Sequence, residues 1–182
     1  MINKEIKLKN SQTCILRQPS EDDAQKMLDY LNVMCTETDF IAFGKGELPW
    51  NIKEKQKFVK EHLDDNNKII VVAEISETIV GIASITGGKP KRIRHIGELG
   101  ITVLKKYWSV GIGFALTQAL IEWAKNSGLI RKIFLKVRVD NKRAIKLYKK
   151  FGFVREGKIS RQLLIDKKFY DAYLMGLEID PK

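Results

Sequence analysis

Two spacings of hydrophobic positions divide the chain into strands and helices. Short runs rich in β-branched residues predict strands, and these runs are residues 13–17, 69–75, 78–86, 98–103, 133–139, 153–159 and 169–177. Apolar residues three and four positions apart predict four helices, which begin after Ser20, after Asn51, near Phe114 and after Asn141. No repeat, low-complexity tract or linker interrupts this order. We therefore expect one α/β domain, residues 1–182, built on a mixed sheet.

Side chains that favour helix ends and tight turns mark the boundaries of these elements. Ser20 with Asp23, and Asn51 with Glu54, have the three-residue spacing of a capping box. Two hairpins are predicted, one at Ser76–Glu77 and one around residues 166–168. The strand at 98–103, the helix after it and the strand at 133–139 form one right-handed crossover, which requires a parallel strand pair.

The turn between strand 98–103 and the following helix has the composition of an anion site. Gly111 and Gly113 allow the backbone to come close to a ligand, and the first amides of a helix have no partner within the helix. The positive end of the helix dipole adds to the attraction. We therefore expect a diphosphate at the backbone N–H groups of Ser109, Val110, Gly111, Ile112, Gly113 and Phe114.

Other phosphate-binding turns fit this stretch less well. A Walker loop requires G-x-x-x-x-G-K-[ST], which does not occur in the chain. A dinucleotide fingerprint requires a third small residue where the chain has Leu116, and an acidic residue about 20 positions later. A dinucleotide-dependent oxidoreductase is therefore disfavoured.

Composition and charge limit the other classes of function. The net charge is +11, and the densest basic stretch is Lys89–His95. No aromatic residues interleave with it, so a solvated loop is favoured over a nucleic-acid patch. Cys14 and Cys35 do not form a disulfide framework or a zinc site, and we expect buried thiols and no metal. Without an apolar segment at the start or a long apolar run, we expect a soluble, cytoplasmic protein with no membrane partner.

Two stretches resemble the motifs of one enzyme family. Residues 108–113, Trp-Ser-Val-Gly-Ile-Gly, resemble motif A of the GCN5-related N-acetyltransferases, [QR]-x-x-G-x-[GA], with Trp108 at the Gln or Arg position. Residues 137–153 match every fixed position of motif B, V-x-x-x-N-x-x-A-x-x-L-Y-x-x-x-G-F, at the usual distance after motif A. The order of helices, hairpin and terminal strand pair is also similar, so the resemblance covers nearly the entire chain.

The resemblance implies a fold and a co-substrate. The expected fold is a mixed, mostly antiparallel seven-stranded sheet, flanked by about four helices, with two parallel central strands that splay apart. Acetyl-CoA would lie in the splay, with its diphosphate at the motif A turn. Its pantetheine arm would contact the amides of Ile101 and Val103, and the Val103 amide would also point at the thioester carbonyl.

The resemblance also implies catalytic roles. Glu98 would be the general base that takes a proton from the acceptor amine, directly or through water, although strand alternation allows it to face solvent. Tyr148 matches the tyrosine that protonates the leaving thiolate, with packing against Leu147 as the alternative. Asn141 would contact the cofactor arm or act only as a helix cap. Lys106, Lys142 and Arg143 are candidates for the ribose phosphate.

The acceptor is left open by the sequence. The loop from Cys35 to Trp50 combines Phe40, Phe43 and Trp50 with Glu37, Asp39 and Glu47, so it either receives an amine or is pinned to the core by its aromatic rings. The chain resembles bacterial ribosomal-protein and small-amine acetyltransferases, which allows a polyamine, an aminoglycoside, an amino acid or a protein N-terminus. A homodimer is also open. The alternative function is a non-catalytic basic domain that associates with nucleic acid or senses CoA.

Overall fold

A computed structural model describes residues 2–180 as eight strands in one sheet with four α-helices. The strands are β1 (Asn3–Lys7), β2 (Thr13–Arg17), β3 (Lys68–Ile75), β4 (Thr78–Gly87), β5 (Ile96–Val103), β6 (Lys132–Arg138), β7 (Val154–Ile165) and β8 (Lys168–Glu178). The helices are α1 (Ala24–Glu37), α2 (Ile52–Asp64), α3 (Ile112–Ser127) and α4 (Lys142–Lys150). The strand order is β1-β2-β3-β4-β5-β6-β8-β7. These findings confirm the predicted mixed α/β fold.

The sheet has one strand more than the seven expected from the resemblance. The additional strand is β1, which pairs antiparallel with β2 from Asn3↔Arg17 to Lys7↔Thr13. Four of its five residues are exposed, because the strand lies at the edge of the sheet. It therefore lacks the apolar alternation that identifies a half-buried strand.

Local signals in the sequence set most element boundaries correctly. The Asn51 amide donates to Glu54 Oε2 (2.8 Å) and the Glu54 amide donates to Asn51 Oδ1 (3.0 Å), which completes the capping box of α2. At the other box, the Ser20 amide donates to Asp23 Oδ2 (2.8 Å), and a short 3-10 turn precedes α1. The two hairpin turns adopt positive φ at residues 76–77 and 166–167, as type I′ turns require.

The helices divide between the two faces of the sheet. Leu116 and Leu120 of α3 and Tyr148 of α4 belong to one apolar core. Met27 and Tyr30 of α1 and Val59 of α2 belong to a second core on the opposite face. We refer to these as the α3–α4 face and the α1–α2 face. Among the described residues, no helix is long and apolar enough to cross a membrane.

The central strands separate along their length, as expected. The parallel pair β5 and β6 is in register only from Ile96↔Lys132 to Glu98↔Phe134. Beyond this point β5 remains paired with β4 up to Gly81↔Val103, and β6 remains paired with β8 up to Arg138↔Ala172. The carboxyl-terminal halves of β5 and β6 are therefore open to each other, and we call this space the gap.

Candidate active site

The turn that leads from β5 into α3 is shaped by residues with positive φ. Gly111 caps the helix with φ 113° and ψ −10°, and Ser109 has φ 66°. A Cβ atom on Gly111 would meet nothing within 4 Å, so the backbone conformation, rather than a shortage of space, favours glycine here. A Cβ on Gly113 would lie 3.6 Å from Leu147 Cδ2 of α4, an ordinary van der Waals distance.

Free amide groups converge at this turn. The first bonded amide of α3 is that of Ala115, which donates to the Gly111 carbonyl at 3.0 Å. Within residues 2–180, the N–H groups of Ile112, Gly113 and Phe114 have no backbone acceptor. The Val110 carbonyl points away, because it accepts from the Lys9 amide at 3.0 Å. Unpaired donors at the positive end of a 16-residue helix provide the electrostatics that an anion requires.

Trp108 links the end of β5 to the start of α4. Its indole N–H donates to the Val103 carbonyl at 2.7 Å. The Arg143 guanidinium lies over the indole ring, 3.4 Å from the ring centroid, and burial lowers the pKa of this arginine. The stacked pair places a positive charge beside the turn, where Arg143 was predicted to contact the cofactor. The other two candidates remain predictions; Lys106 lies over Tyr107 at 5.5 Å, and Lys142 is the first residue of α4.

The amides of Ile101 and Val103 point into the gap. The Ile96 carbonyl accepts from the Gly88 amide (3.1 Å), and the Leu104 amide donates to the Val80 carbonyl (3.0 Å), so both residues are bonded on the β4 side. Because successive residues of a strand direct their backbone groups to opposite edges, Ile101 and Val103 direct theirs away from β4. Their pairing partner on that side would be β6, which has already diverged.

Tyr148 is buried on the inner side of α4. It is 6% exposed, and its ring packs against that of Phe153 with 5.7 Å between centroids. Within residues 2–180 its hydroxyl makes no hydrogen bond, unlike that of Tyr30, which donates to Thr102 Oγ1 at 3.0 Å. Burial raises the pKa of Tyr148 above its usual value near 10. The phenol is therefore protonated at neutral pH and retains a donor for a ligand.

Asn141 serves as the cap of α4. Its Oδ1 accepts from the Ala144 amide at 3.2 Å, so the capping role considered in the sequence is present. Its side-chain NH₂ group has no partner within residues 2–180. The predicted contact with the cofactor arm stays a prediction, for which this NH₂ group is an available donor.

Glu98 faces the α1–α2 side of the sheet and is half exposed. Thr102, four residues later on the same face of β5, contacts Tyr30 of α1. The Glu98 side chain is 51% exposed, and Lys136 Nζ lies 3.6 Å from Glu98 Oε1. Glu98 and Lys136 belong to the two strands that separate, so the ion pair lies where the gap begins. The predicted role of Glu98 as a base is compatible with this position but remains a prediction.

The carboxylates of Glu37 and Glu47 in the Cys35–Trp50 loop accept hydrogen bonds from backbone amides. Glu47 Oε2 accepts from the Gly44 amide at 2.7 Å, and Glu37 Oε2 accepts from the Lys105 amide at 2.7 Å. Phe43 and Trp50 pack edge to face with 5.2 Å between centroids. Phe43 packs against the core on the α1–α2 face, whereas Phe40 is 37% exposed, so both alternatives for this loop stay open.

The two cysteines are not poised as nucleophiles. Both are buried and free. Burial raises the pKa of Cys14 to about 11 and raises that of Cys35 as well. Both ring nitrogens of His62 already have hydrogen-bond partners, because Nδ1–H donates to the Phe58 carbonyl (2.8 Å) and Nε2 accepts from the Thr86 hydroxyl (3.0 Å). Within residues 2–180 no group of three or more His, Cys, Asp or Glu side chains could hold a metal ion.

Comparison with known proteins agrees with this architecture. Residues 32–153 match the model of the acetyltransferase (GNAT) family. The chain is 34% identical over 165 residues to an N-alpha-acetyltransferase of Sulfurisphaera tokodaii, covering 85% of this chain and 96% of that protein. It is 36% identical over 106 residues to the L-amino acid N-acetyltransferase AaaT of Escherichia coli, covering 58% and 65%.

A solved structure shares both sequence and fold with the chain. It is a GNAT-family acetyltransferase from Streptococcus pneumoniae, 36% identical, with a TM-score of 0.88 over 92% of this chain and 99% of that one. The chain belongs to the acetyltransferase (GNAT) family.

Proposed function

We propose that the protein transfers the acetyl group of acetyl-CoA to an amine by direct attack in a ternary complex. The observation that carries this proposal is the gap between β5 and β6 beside the amide-lined turn of α3. It offers two sets of free backbone donors in one continuous site. The first suits a diphosphate, and the second suits the amide and thioester groups of a pantetheine arm.

The cofactor site is built mainly from backbone. The diphosphate lies against the amides of Ser109 to Phe114, where the helix dipole favours negative charge. The pantetheine arm takes the place of the missing β6 partner, because the N–H groups of Ile101 and Val103 are available along that edge. Trp108 and Arg143 form the wall between the two parts. Arg143 neutralises phosphate charge from its stacked position.

The Val103 amide stabilises the transition state. A neutral amine attacks the thioester carbonyl, a C–N bond forms and the carbonyl oxygen becomes an oxyanion before the C–S bond breaks. A fixed N–H donor aimed at this oxygen is worth about 3–4 kcal/mol in other acyl-transfer enzymes. Trp108 helps to fix this donor, because its indole holds the carbonyl of the same residue at 2.7 Å.

Tyr148 is the proposed general acid. The departing CoA thiolate needs a proton, and the thiol formed has an ordinary pKa near 8.5. The Tyr148 phenol is protonated at neutral pH, as its ordinary pKa near 10 already ensures, and its hydroxyl has no competing partner in the described part of the chain. The tyrosinate left after proton transfer regains its proton from the medium as the products leave.

Glu98 is the proposed general base, acting directly or through water. It lies on the α1–α2 face, whereas α3 and α4 cover the opposite face. The amine therefore approaches from the side on which Glu98 is exposed. Lys136, 3.6 Å away, keeps the carboxylate at the entrance of the gap.

The acceptor class we favour is an α-amine. Two of the relatives described above are named N-alpha-acetyltransferase and L-amino acid N-acetyltransferase. The α-amine of a peptide N-terminus has a pKa near 8, compared with about 10.4 for a lysine-like amine, so about a tenth of such N-termini are neutral at pH 7. Polyamines and aminoglycosides stay open as acceptors. The cytoplasmic location and the homodimer stay predictions.

The non-catalytic alternative receives no support. Arg94 of the basic loop is paired with Asp65 at 3.2 Å, and no relative described above is named for nucleic-acid binding. A thiol-release assay with acetyl-CoA and a panel of amines distinguishes the alternatives. We expect amine-dependent release with amino acids or peptides that have a free N-terminus, and none with N-acetylated peptides. Absence of release across all amine classes, despite acetyl-CoA binding, would contradict the proposal.

A further inference from the structure

We propose that Arg138 and Glu37 are positioning residues that hold Glu37–Phe40 across the open end of the gap, and that this crossing segment forms the acceptor-side wall of the site. The inference rests on the proposed function. Neither Glu37 nor Arg138 is among the residues that the family resemblance assigns to catalysis or to cofactor binding.

One end of the crossing segment is fixed to β5. Glu37, the last residue of α1, accepts a hydrogen bond from the Lys105 amide through Oε2 at 2.7 Å. Lys105 follows Val103 by two residues. A charged acceptor makes this bond stronger than one between neutral groups, so α1 is tied to the point where β5 ends.

The other end is fixed to β6 by Arg138, the last residue of that strand. Arg138 Nη1 donates to the Asp39 carbonyl at 2.9 Å, and the guanidinium lies 4.7 Å from the centroid of the Phe40 ring. Parallel strands end at the same edge of a sheet, so Lys105 and Arg138 mark the two sides of the gap at its wide end.

Arg138 is itself held rigidly. Nε and Nη2 donate to the two carboxylate oxygens of Asp140 at 2.9 and 2.6 Å. The guanidinium carbon also lies over the ring of Tyr170 in β8, 3.8 Å from the ring centroid. The residue is only 8% exposed. The bidentate pair lowers the pKa of Asp140, so the contact is intact at neutral pH. A lysine has no planar fork with which to reproduce these contacts.

The arrangement matters for the acceptor rather than for acetyl-CoA. Beyond Glu98 and Phe134, no backbone pairing joins β5 to β6. The crossing segment connects the ends of the two strands on the α1–α2 face, from which the amine approaches. Within residues 2–180, neither the diphosphate turn nor the amides of Ile101 and Val103 form a hydrogen bond with the Arg138 or Glu37 side chain. Loss of the tie should therefore weaken acceptor binding and leave the cofactor site unchanged.

The test compares Arg138→Met and Glu37→Met with a matched control, Arg155→Met. Arg155 also stacks on a tyrosine, Tyr173, at 4.8 Å, but it lies on the edge strand β7, away from the gap. For the two test variants we expect the acceptor KM to rise tenfold or more, while the acetyl-CoA Kd stays within twofold. Arg138→Lys should recover only part of the loss, and the control should change neither constant.

Hydrogen exchange separates this inference from the proposed function. Amides in residues 38–50 should exchange at least tenfold faster in Arg138→Met than in wild type, and the α3 amides should be unaffected. An unchanged acceptor KM would overturn the positioning role. So would an acetyl-CoA Kd that rises as much as the acceptor KM. If the wild type acetylates no amine, the proposed function fails. In that case, unchanged hydrogen exchange of residues 38–50 in Arg138→Met would refute the proposed anchoring of the crossing segment independently of any activity.

Discussion

Replacing Lys55 with methionine should make the protein more stable at pH 7. Lys55 lies on the buried side of α2 with Val59 and His62 and is only 3% exposed. Its Nζ lies 4.1 Å from the centroid of a Trp50 ring and 4.9 Å from that of Phe58. Within residues 2–180, no carboxylate forms an ion pair with it. Methionine keeps the unbranched stem and removes the charge.

The magnitude follows from the cost of burying the ammonium group. Burial lowers the pKa of Lys55 from 10.5 to about 8, and each pH unit of that difference is worth about 1.4 kcal/mol. The charged form therefore costs about 3 kcal/mol at most. The attraction of the aromatic rings for the cation offsets about 1 kcal/mol, and residual contact with water offsets a further part. We expect Lys55→Met to raise the free energy of unfolding by about 1–2 kcal/mol.

The effect should depend on pH in a defined window. Below pH 8 the lysine is protonated in both states, so the cost is fully present. Between pH 8 and about 10.5 the unfolded chain binds more protons than the folded one, so wild-type stability rises with pH. The difference between the variant and the wild type should therefore shrink across this window.

Urea unfolding at pH 7 and pH 10 measures this difference directly. The control is Lys60→Met, which removes an exposed lysine from the same helix and should change the free energy of unfolding by less than about 0.5 kcal/mol at either pH. A Lys55→Met variant that is less stable than the wild type at pH 7 would refute the reasoning. So would a gain that stays constant between the two pH values.

Three further substitutions test the proposed chemistry. Tyr148→Phe should lower turnover about a hundredfold with little change in the acetyl-CoA Kd, because general acid catalysis is worth about 10²–10⁴; unchanged turnover in steady-state assays would exclude Tyr148 as the acid. Gly111→Val should abolish acetyl-CoA binding in calorimetry, since a β-branched residue is strained at φ 113° and its side chain would occupy the space that the diphosphate needs. A normal Kd would place the diphosphate elsewhere. Glu98→Gln should lower turnover at least tenfold at pH 7, and the deficit should narrow by pH 9 as the acceptor amine loses its proton unaided; equal rates at pH 7 would exclude Glu98 as the base.

The sequence predicted the parts of the site that depend on local patterns. The glycines of the turn, the cap at Asn141 and the strand that ends at Val103 are each encoded by a few neighbouring residues. They were identified because turn chemistry and helix caps have short-range signals. The divergence of β5 from β6 was expected only through the family resemblance, since hydrophobic periodicity does not report it.

Features that depend on distant contacts were missed. Arg138 occupies a variable position of motif B, and its partners Asp39 and Tyr170 are far away in sequence, so no local pattern indicates its role. Lys55 follows the helical spacing of a buried face, but a lysine is ordinarily expected to face solvent. The orientation of Glu98 was left open because alternation alone does not say which face of a strand is covered.

Binding of acetyl-CoA is the most direct test of the central claim, that the gap between β5 and β6 and the turn of α3 form one cofactor site. Calorimetric titration of the purified protein with acetyl-CoA should give one site per chain with a micromolar Kd. NADH carries a diphosphate but no pantetheine arm, and it should bind at least a hundredfold more weakly. Absence of acetyl-CoA binding, or equal affinity for the two ligands, would contradict the account.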